Sequence, residues 1–600
     1  MNAKLETAMR ALQAGRLPEA EAACRGVLAA NPADVQALQV LGVVLRHSGK
    51  LEEAEASFRR SVDLAPSNPE FRTNLAQLLG ARGRTDESVA HFQRAIADQP
   101  RFRPAHLGLA RLANRVQRHA LAEQHARQLI AIDARDSEAW SALGTALHGL
   151  GRLSEARSAF QRALTIAPNY GAAHYQLAAT LAEEERALEA LEHVGAAARA
   201  GIAHRGLVLT RARALMQLDR YDEAERALLE IVRGTPDDVE VQTLLVQLRH
   251  VRGDQDFARA LREAATRPGA LPAVRAAYAD TLRRSGDLAG SEQLLRELLR
   301  EHGPLPALMS SLATVLQETG RHAEAVSYSR AAAEAQPHST PLAENYVAAL
   351  LCAGDPRAAL PTIERFRQLT PLDQRWITYR ADASRQLGES LFDEWCDLER
   401  LVRVYDIEPP PGYASIEAFH ETLRPLLEAR HRQAMHPLDQ SLRFGTQTSR
   451  GLLVDNDPVI KAFLSALEAP MASYQAEIGR DDAHPLLARN TDAAKMVGCW
   501  SVRLKRGGFH VNHIHPQGWM SSAYYVSVPA EVEDTEARSG WIKFGEPRFA
   551  MPGATAGRFV QPRAGRLVLF PSYLWHGTTP IHGDEARLTV AFDAVPARPK

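Results

Sequence analysis

Cysteine is scarce, with four in 600 residues, at Cys24, Cys352, Cys396 and Cys499. They are widely scattered and show no C-x-x-C spacing, which excludes a disulfide framework and a zinc knuckle. Net charge is also nearly absent: 71 Lys and Arg against 72 Asp and Glu leave −1. That argues against a generally basic nucleic-acid binder, and the local cluster Arg503, Lys505 and Arg506 reads as a solvated strand edge. No apolar run is long enough to span a bilayer, and the opening Met1-Asn2-Ala3-Lys4-Leu5-Glu6 lacks the apolar core of a signal peptide. The expectation is a cytoplasmic protein with no membrane and no nucleic-acid partner. The length exceeds what one hydrophobic core organises, so at least two structural units are expected.

What is present is a period. Prolines at 32, 66, 100, 168 and 236 are separated by 34 residues or multiples of it. Turn glycines keep the same step at Gly15, Gly49, Gly83, Gly151 and Gly253, and after one dropped residue at Gly286, Gly320, Gly354 and Gly388. Trp140, Leu143, Gly144, Leu147, Ala156, Phe160, Ala163 and Pro168 form the best single copy. This resembles the tetratricopeptide repeat family. Gly144 and Ala156 let two antiparallel helices approach, and Pro168 helps to end the pair. About eleven repeats are expected over residues 1–388, with degenerate turns at Gln117, Glu185 and Asp219. Trp140, Phe58, Phe92 and Phe160 are expected in the core. The resemblance implies a right-handed solenoid whose groove holds a protein or peptide.

Beyond Gly388 the period is lost. Phe392 to Tyr405 reads as a further, capping helix, and Pro409-Pro410-Pro411-Gly412 breaks the chain. Residues 389–412 are thus a capping helix and linker, and 413–600 a second domain. Helical spacing over 416–430 and 458–478 flanks a polar loop with Thr446-Gln447-Thr448. From about Met496 short β-rich runs follow: 498–504, 521–528, 540–544, 566–570 and 587–592. An all-β barrel or jelly roll with helices outside is expected.

Within this stretch, His513 and His515 are spaced to share one strand face and point at one ion, with His576 arriving from another strand. Arg587 and Thr589 share a face by the same rule, and a guanidinium beside a hydroxyl suits a bidentate grip on a carboxylate. Trp500 to Leu504, Gly508-Phe509-His510, His513-Ile514-His515-Pro516, Tyr524-Tyr525-Val526, Leu569 to Ser572, Trp575-His576-Gly577 and Arg587-Leu588-Thr589 together resemble the bacterial iron(II)/2-oxoglutarate oxygenase family. The expected fold class is therefore multidomain α + β: an N-terminal all-α tetratricopeptide solenoid and a C-terminal double-stranded β-helix, or jelly roll, with flanking helices.

The resemblance implies iron(II) as cofactor, and 2-oxoglutarate and dioxygen as cosubstrates. It makes His513 the first ligand, His576 the distal one, and Arg587 with Thr589 the carboxylate clamp, joined by whichever of Tyr524 and Tyr525 faces inward. The family's carboxylate ligand position holds His515 here, and no Asp or Glu lies between Asp492 and Glu531. Either His515 completes a three-histidine triad, since imidazole suits iron(II), or it stands behind two protein ligands. His510 falls at an odd offset that puts it on the opposite strand face, unless a bulge intervenes. Trp519, Trp541 and Trp575 are either pocket walls or core, and His582 is expected exposed.

Three functions follow: a hydroxylase acting on protein or peptide captured by the repeats, a three-histidine dioxygenase that uses no 2-oxo acid, and a non-enzymatic scaffold with a degenerate barrel. The loops at Gln517-Gly518-Trp519 and 531–539 are expected to set specificity.

Overall fold

A computed structural model describes residues 3–491 and 493–597; Met1, Asn2 and Asp492, which entered the sequence reading, lie outside them, as do 598–600. The chain forms two compact units, up to Ala214 and from Leu215 onward. In the first, helices of 11 to 14 residues alternate in antiparallel pairs, from Ala3–Gln13 with Leu17–Ala30 onward. The period reappears as helix starts. Asp34, Asn68 and Asp136 each accept a backbone N–H of the helix that follows, offsetting the unpaired donors of its first turn.

Phe58, Phe92 and Phe160 are buried as expected. Gly144 is obligatory, because a Cβ there would lie 2.6 Å from the Phe160 ring. Trp140 departs from the core expectation: it is half-buried, with its indole N–H donating to the Ala134 carbonyl. The turns without glycine keep the glycine conformation, with φ of +60° at Gln117 and +58° at Glu185, against +73° at Gly151. That geometry is uncommon for a residue with a Cβ, so these repeats diverged in sequence and kept their shape.

The second unit continues the helix pairs through Gln374–Leu387 and then builds the β-rich region. Two short helices, Leu391–Trp395 and Leu398–Leu401, follow. The capping helix expected to reach Tyr405 stops there, and Arg403–Asp406 is instead an edge strand, β1. The remaining strands are β2 (Leu442–Gln447), β3 (Ala494–His510), β4 (Met520–Ser527), β5 (Ile542–Phe544), β6 (Arg558–Val560), β7 (Arg566–Pro571), β8 (His576–Thr578) and β9 (Arg587–Pro596). Thr446 and Gln447 therefore belong to a strand, not to the polar loop expected, and Thr446 is buried.

All pairings are antiparallel, in a six-stranded sheet ordered β1-β7-β4-β9-β3-β2 and a three-stranded sheet ordered β6-β5-β8. One face of the large sheet is closed by the helices Ile416–Glu428, Pro458–Ala466 and Glu468–Ile478. Phe419, Phe463 and Tyr474 from those helices share a core with Tyr524, Leu567 and Val590 from the strands. The other face carries residues 500, 502, 504, 521, 523, 525, 587, 589, 591 and 593 by the period of two and the register of β3, β4 and β9. That face lines a cavity of about 630 Å³.

Candidate metal centre

The three proposed ligands converge. His513, His515 and His576 offer ring nitrogens that all lie within 4.8 Å of one another. Ring centroids are 4.2 Å apart for His513 and His576, and 5.1 Å for each of the other two pairs. The extended strand expected at 513–515 is reduced to one bridge, in which His513 and His576 exchange backbone hydrogen bonds of 2.9 and 3.1 Å. Because β3 ends at His510, the odd offset no longer sends that ring away. His510 stacks on His513 at 5.9 Å, and Ser441 Oγ contacts both, at 3.0 and 3.3 Å. His510 is not one of the three grouped ligands.

Each of the three imidazoles has its Nδ1 held against oxygen: His513 against the Val511 carbonyl at 2.9 Å, His576 against the Leu574 carbonyl at 2.9 Å, and His515 against the Asp593 carboxylate at 2.6 Å. A carbonyl can only accept, so Nδ1 carries the proton in His513 and His576 and Nε2 keeps the lone pair, which in His513 also stands 3.3 Å from Ser441 Oγ, a contact that a bound cation would displace. Burial first, and then the neighbouring His515, hold His513 down to about 3. Burial also pushes His576 well below its ordinary value, with His513 and His515 adding to the effect. Neutral imidazole is the metal-binding form.

Asp593 was not singled out in the sequence. It stands 78 residues from His515, yet it brings to that ring, on the Nδ1 side, the carboxylate that the histidine loop lacks. Ser521 Oγ donates to it at 2.7 Å and lies 2.8 Å from Ser572 Oγ. A carboxylate on a ligating imidazole fixes its tautomer and raises its basicity. The strand period was the available signal, since Asp593 falls on the same face of β9 as Arg587 and Thr589.

Arg587 is 2% exposed and donates from Nη1 to the Gly540 carbonyl. Burial lowers its pKa, opposed by Tyr525. Its Cζ lies 5.5 Å from the Tyr525 ring, and Tyr525 faces Thr589 across β4 and β9. Arg587 Nε, Tyr525 OH and Thr589 Oγ1 are buried without a hydrogen-bond partner, and all three residues line the cavity. Leaving such groups unpaired costs about 1–3 kcal/mol each, so their convergence fits an anionic, multiply accepting ligand such as a carboxylate.

Tyr524, its equal in the sequence, is corrected to the opposite face, where its hydroxyl meets His420 Nε2 at 2.6 Å and its ring packs on Phe463. Alternation along β4 allows only one of the pair inside.

The tryptophans are also redistributed. Trp500 lines the cavity and stacks on His515 at 6.0 Å. Trp519 is core, Trp541 donates to the Val532 carbonyl, and Trp575 packs among the last repeat helices. Gln517 and Gly518 border the cavity, whereas 531–539 does not, and His582 is exposed.

The helix Gln374–Leu387 touches both segments that carry the grouped histidines. Gln374 N–H donates to the Pro516 carbonyl at 3.0 Å, Thr378 Oγ1 to the Tyr573 carbonyl at 2.7 Å, and Trp575 Nε1 to Asp382 at 2.8 Å. Burial raises the Asp382 carboxyl to about 6, against lowering by Arg385 and the Trp575 N–H. Its ordinary value is 3.8, so the folded protein binds this proton more tightly than the unfolded chain does. The native state then gains stability as pH falls through about 6 toward 4, by up to about 3 kcal/mol. The melting temperature of wild type relative to Asp382→Asn is expected to rise between about pH 7.5 and about pH 5; a difference that stays flat contradicts the assignment.

A family model described as "Putative 2OG-Fe(II) oxygenase" matches residues 498–593. Tetratricopeptide repeat models match 5–69 and 277–340, 137–170, and 45–101 and 181–248. No curated protein matches the chain. Among solved structures, a tetratricopeptide repeat protein from Parabacteroides merdae is 17% identical, covering 40% of this chain and 96% of its own, at a TM-score of 0.35. For pilF of Pseudomonas aeruginosa the values are 18%, 35%, 95% and 0.32. The assignment rests on the family models, not on these likenesses. Among the described residues no helix is long and apolar enough to cross a membrane. Across its N-terminal region the chain carries tetratricopeptide repeats, and residues 498–593 are a domain that matches the family described as "Putative 2OG-Fe(II) oxygenase".

Proposed function

We propose that the chain is an iron(II)- and 2-oxoglutarate-dependent dioxygenase that hydroxylates a protein or peptide captured by its repeats. In this reading 1–388 is the capturing array, 389–412 the connection and 413–600 the catalytic domain. The observation that carries it is the pairing of three lone-pair-bearing imidazoles with an uncompensated Arg587, Tyr525 and Thr589 in one cavity.

His513, His515 and His576 would hold the metal through Nε2. When bound, iron with 2-oxoglutarate and dioxygen supplies oxidising power: the 2-oxo acid leaves as succinate and carbon dioxide, and one oxygen atom enters a substrate C–H bond. The protein's part is positional. Asp593 holds the His515 proton on Nδ1. Arg587 neutralises the far carboxylate of the cosubstrate, with Thr589 Oγ1 and Tyr525 OH as additional donors. The apolar walls Val502, Ala523 and Ala591 exclude water from the space between clamp and histidines.

Incubation of iron-loaded protein with labelled 2-oxoglutarate and candidate peptides is expected to release succinate and carbon dioxide, and His576→Ala to release none. Equal release from both proteins contradicts the reading.

The absence of a carboxylate from the ligand group favours a second reading, a three-histidine dioxygenase needing no 2-oxo acid. N-oxalylglycine separates the two. Thermal stabilisation by it, lost in Arg587→Ala, supports the first; no stabilisation supports the second.

A further inference from the structure

The mouth of the cavity is ringed by guanidinium groups that the reaction does not use. Arg283 and Arg284 come from the repeat helix Pro272–Arg284, Arg443 from β2 and Arg548 from the loop after β5. Two carboxylates pair with three of these four groups and answer half of the charge. Asp280 pairs with Arg283 at 2.8 Å and Arg284 at 2.6 Å, while Glu318 pairs with Arg283 at 2.8 Å and Arg548 at 3.5 Å.

Arg443 is different. It is half-buried, its Nη1 donates only to the Gln440 and Leu442 carbonyls at 2.7 Å, and among the described residues no carboxylate forms an ion pair with it. Asp439, exposed at the same rim, makes none with it. Burial and then the repulsion of Arg548, Arg283 and Arg284 lower its pKa, with Glu318 alone opposing. The local field thus disfavours a fourth positive charge and favours an anion beside it.

Backbone geometry points the same way. The β2–β3 register shifts between Arg443 and Gly445, and Phe444 sits at φ +50°, 57% exposed. A bulky residue in the left-handed region costs about 1–3 kcal/mol, and bulges beside active sites re-aim side chains. Here the side chain that faces the cavity is Arg443. Two residues before it, Ser441 touches His513, so an anion held by Arg443 is kept close to the metal ligands.

We propose that the substrate is an acidic polypeptide segment, whose Asp or Glu carboxylate docks on Arg443 at the cavity mouth and thereby presents a neighbouring residue to the histidine centre. This rests on the hydroxylase reading. A polypeptide is favoured over a small acid because part of the rim is built by the repeat helices Pro272–Arg284 and Pro306–Glu318, elements that commonly receive extended chains.

The test is an array of immobilised random dodecamers, each made in matched forms with Glu, Gln or Lys at the centre, probed with the full-length protein. Wild type is expected to bind the Glu member about tenfold more strongly across the bound pairs. Arg443→Gln should lose that preference, Arg443→Lys should retain part of it, and Arg443→Glu should turn it toward Lys-centred peptides. Melting curves confirm that each variant folds. Equal binding of Glu and Gln members by wild type, or a preference retained in folded Arg443→Gln, overturns the proposal. Displacement from the array by free glutarate as efficiently as by soluble acidic peptide also overturns it, in favour of a small dicarboxylic acid. Array binding requires no turnover, so failure here leaves the iron chemistry standing, and absence of succinate formation leaves the array result standing.

Discussion

Arg587→Leu is expected to raise the 2-oxoglutarate concentration needed for half-maximal turnover by roughly 30- to 1000-fold, with iron content unchanged. The range follows from the cost of removing one partner of a buried, hydrogen-bonded charge pair, about 2–4 kcal/mol, at about 1.4 kcal/mol per factor of ten. Arg587 is 2% exposed and leaves Nε without a partner, so the attraction it exerts on a carboxylate is little screened by water. Arg587→Lys should recover only part of the loss, because an ammonium is a point charge and not a planar fork. Thr589→Ala removes one neutral donor and should cost about tenfold or less. Titrating succinate formation against 2-oxoglutarate for these variants checks the order. Equal half-saturation in wild type and Arg587→Leu would place the carboxylate elsewhere in the cavity.

Asp593→Asn is the second large effect: a loss of about 10- to 100-fold in iron affinity, the usual consequence of removing the partner behind a ligating histidine. The asparagine oxygen can still accept the His515 Nδ1 proton, so the ring keeps its tautomer and loses only the carboxylate's charge. Asp593→Ala should cost more, because the 2.6 Å contact disappears and Ser521 loses its acceptor as well. Competition for iron(II) against a chelator of known affinity measures both. If Asp593→Ala binds iron as wild type does, His515 is not held through its carboxylate.

The repeats were legible because a 34-residue step repeats the same helix starts and turn glycines, and packing Phe160 onto Gly144 leaves little freedom. The histidine cluster was legible for a local reason too: His513, His515 and His576 announce themselves by residue type, and their ring nitrogens group together. What stayed hidden depends on contacts distant in sequence. Asp593 reaches His515 only because β9 lies between β3 and β4. Ser441 reaches His513 only through the pairing of β2 with β3.

Strands β1, β6 and β8 have four, three and three residues, too few for an alternating pattern to be seen. Tyr524 and Tyr525 carry the same chemistry at adjacent positions, so the choice between them needed the register of β4 against β9. The face of His510 depended on whether the strand runs unbroken to His513, and β3 ends at His510, before the bridge at His513.

Anaerobic addition of one equivalent of iron(II) to the full-length protein, followed by 2-oxoglutarate, with visible absorption recorded at each step, tests the central claim most directly. The account predicts a weak charge-transfer band that appears only with both components, is absent in His576→Ala, and needs far more 2-oxoglutarate in Arg587→Leu. A protein that takes up no iron, or binds it and shows no change on adding 2-oxoglutarate, contradicts it.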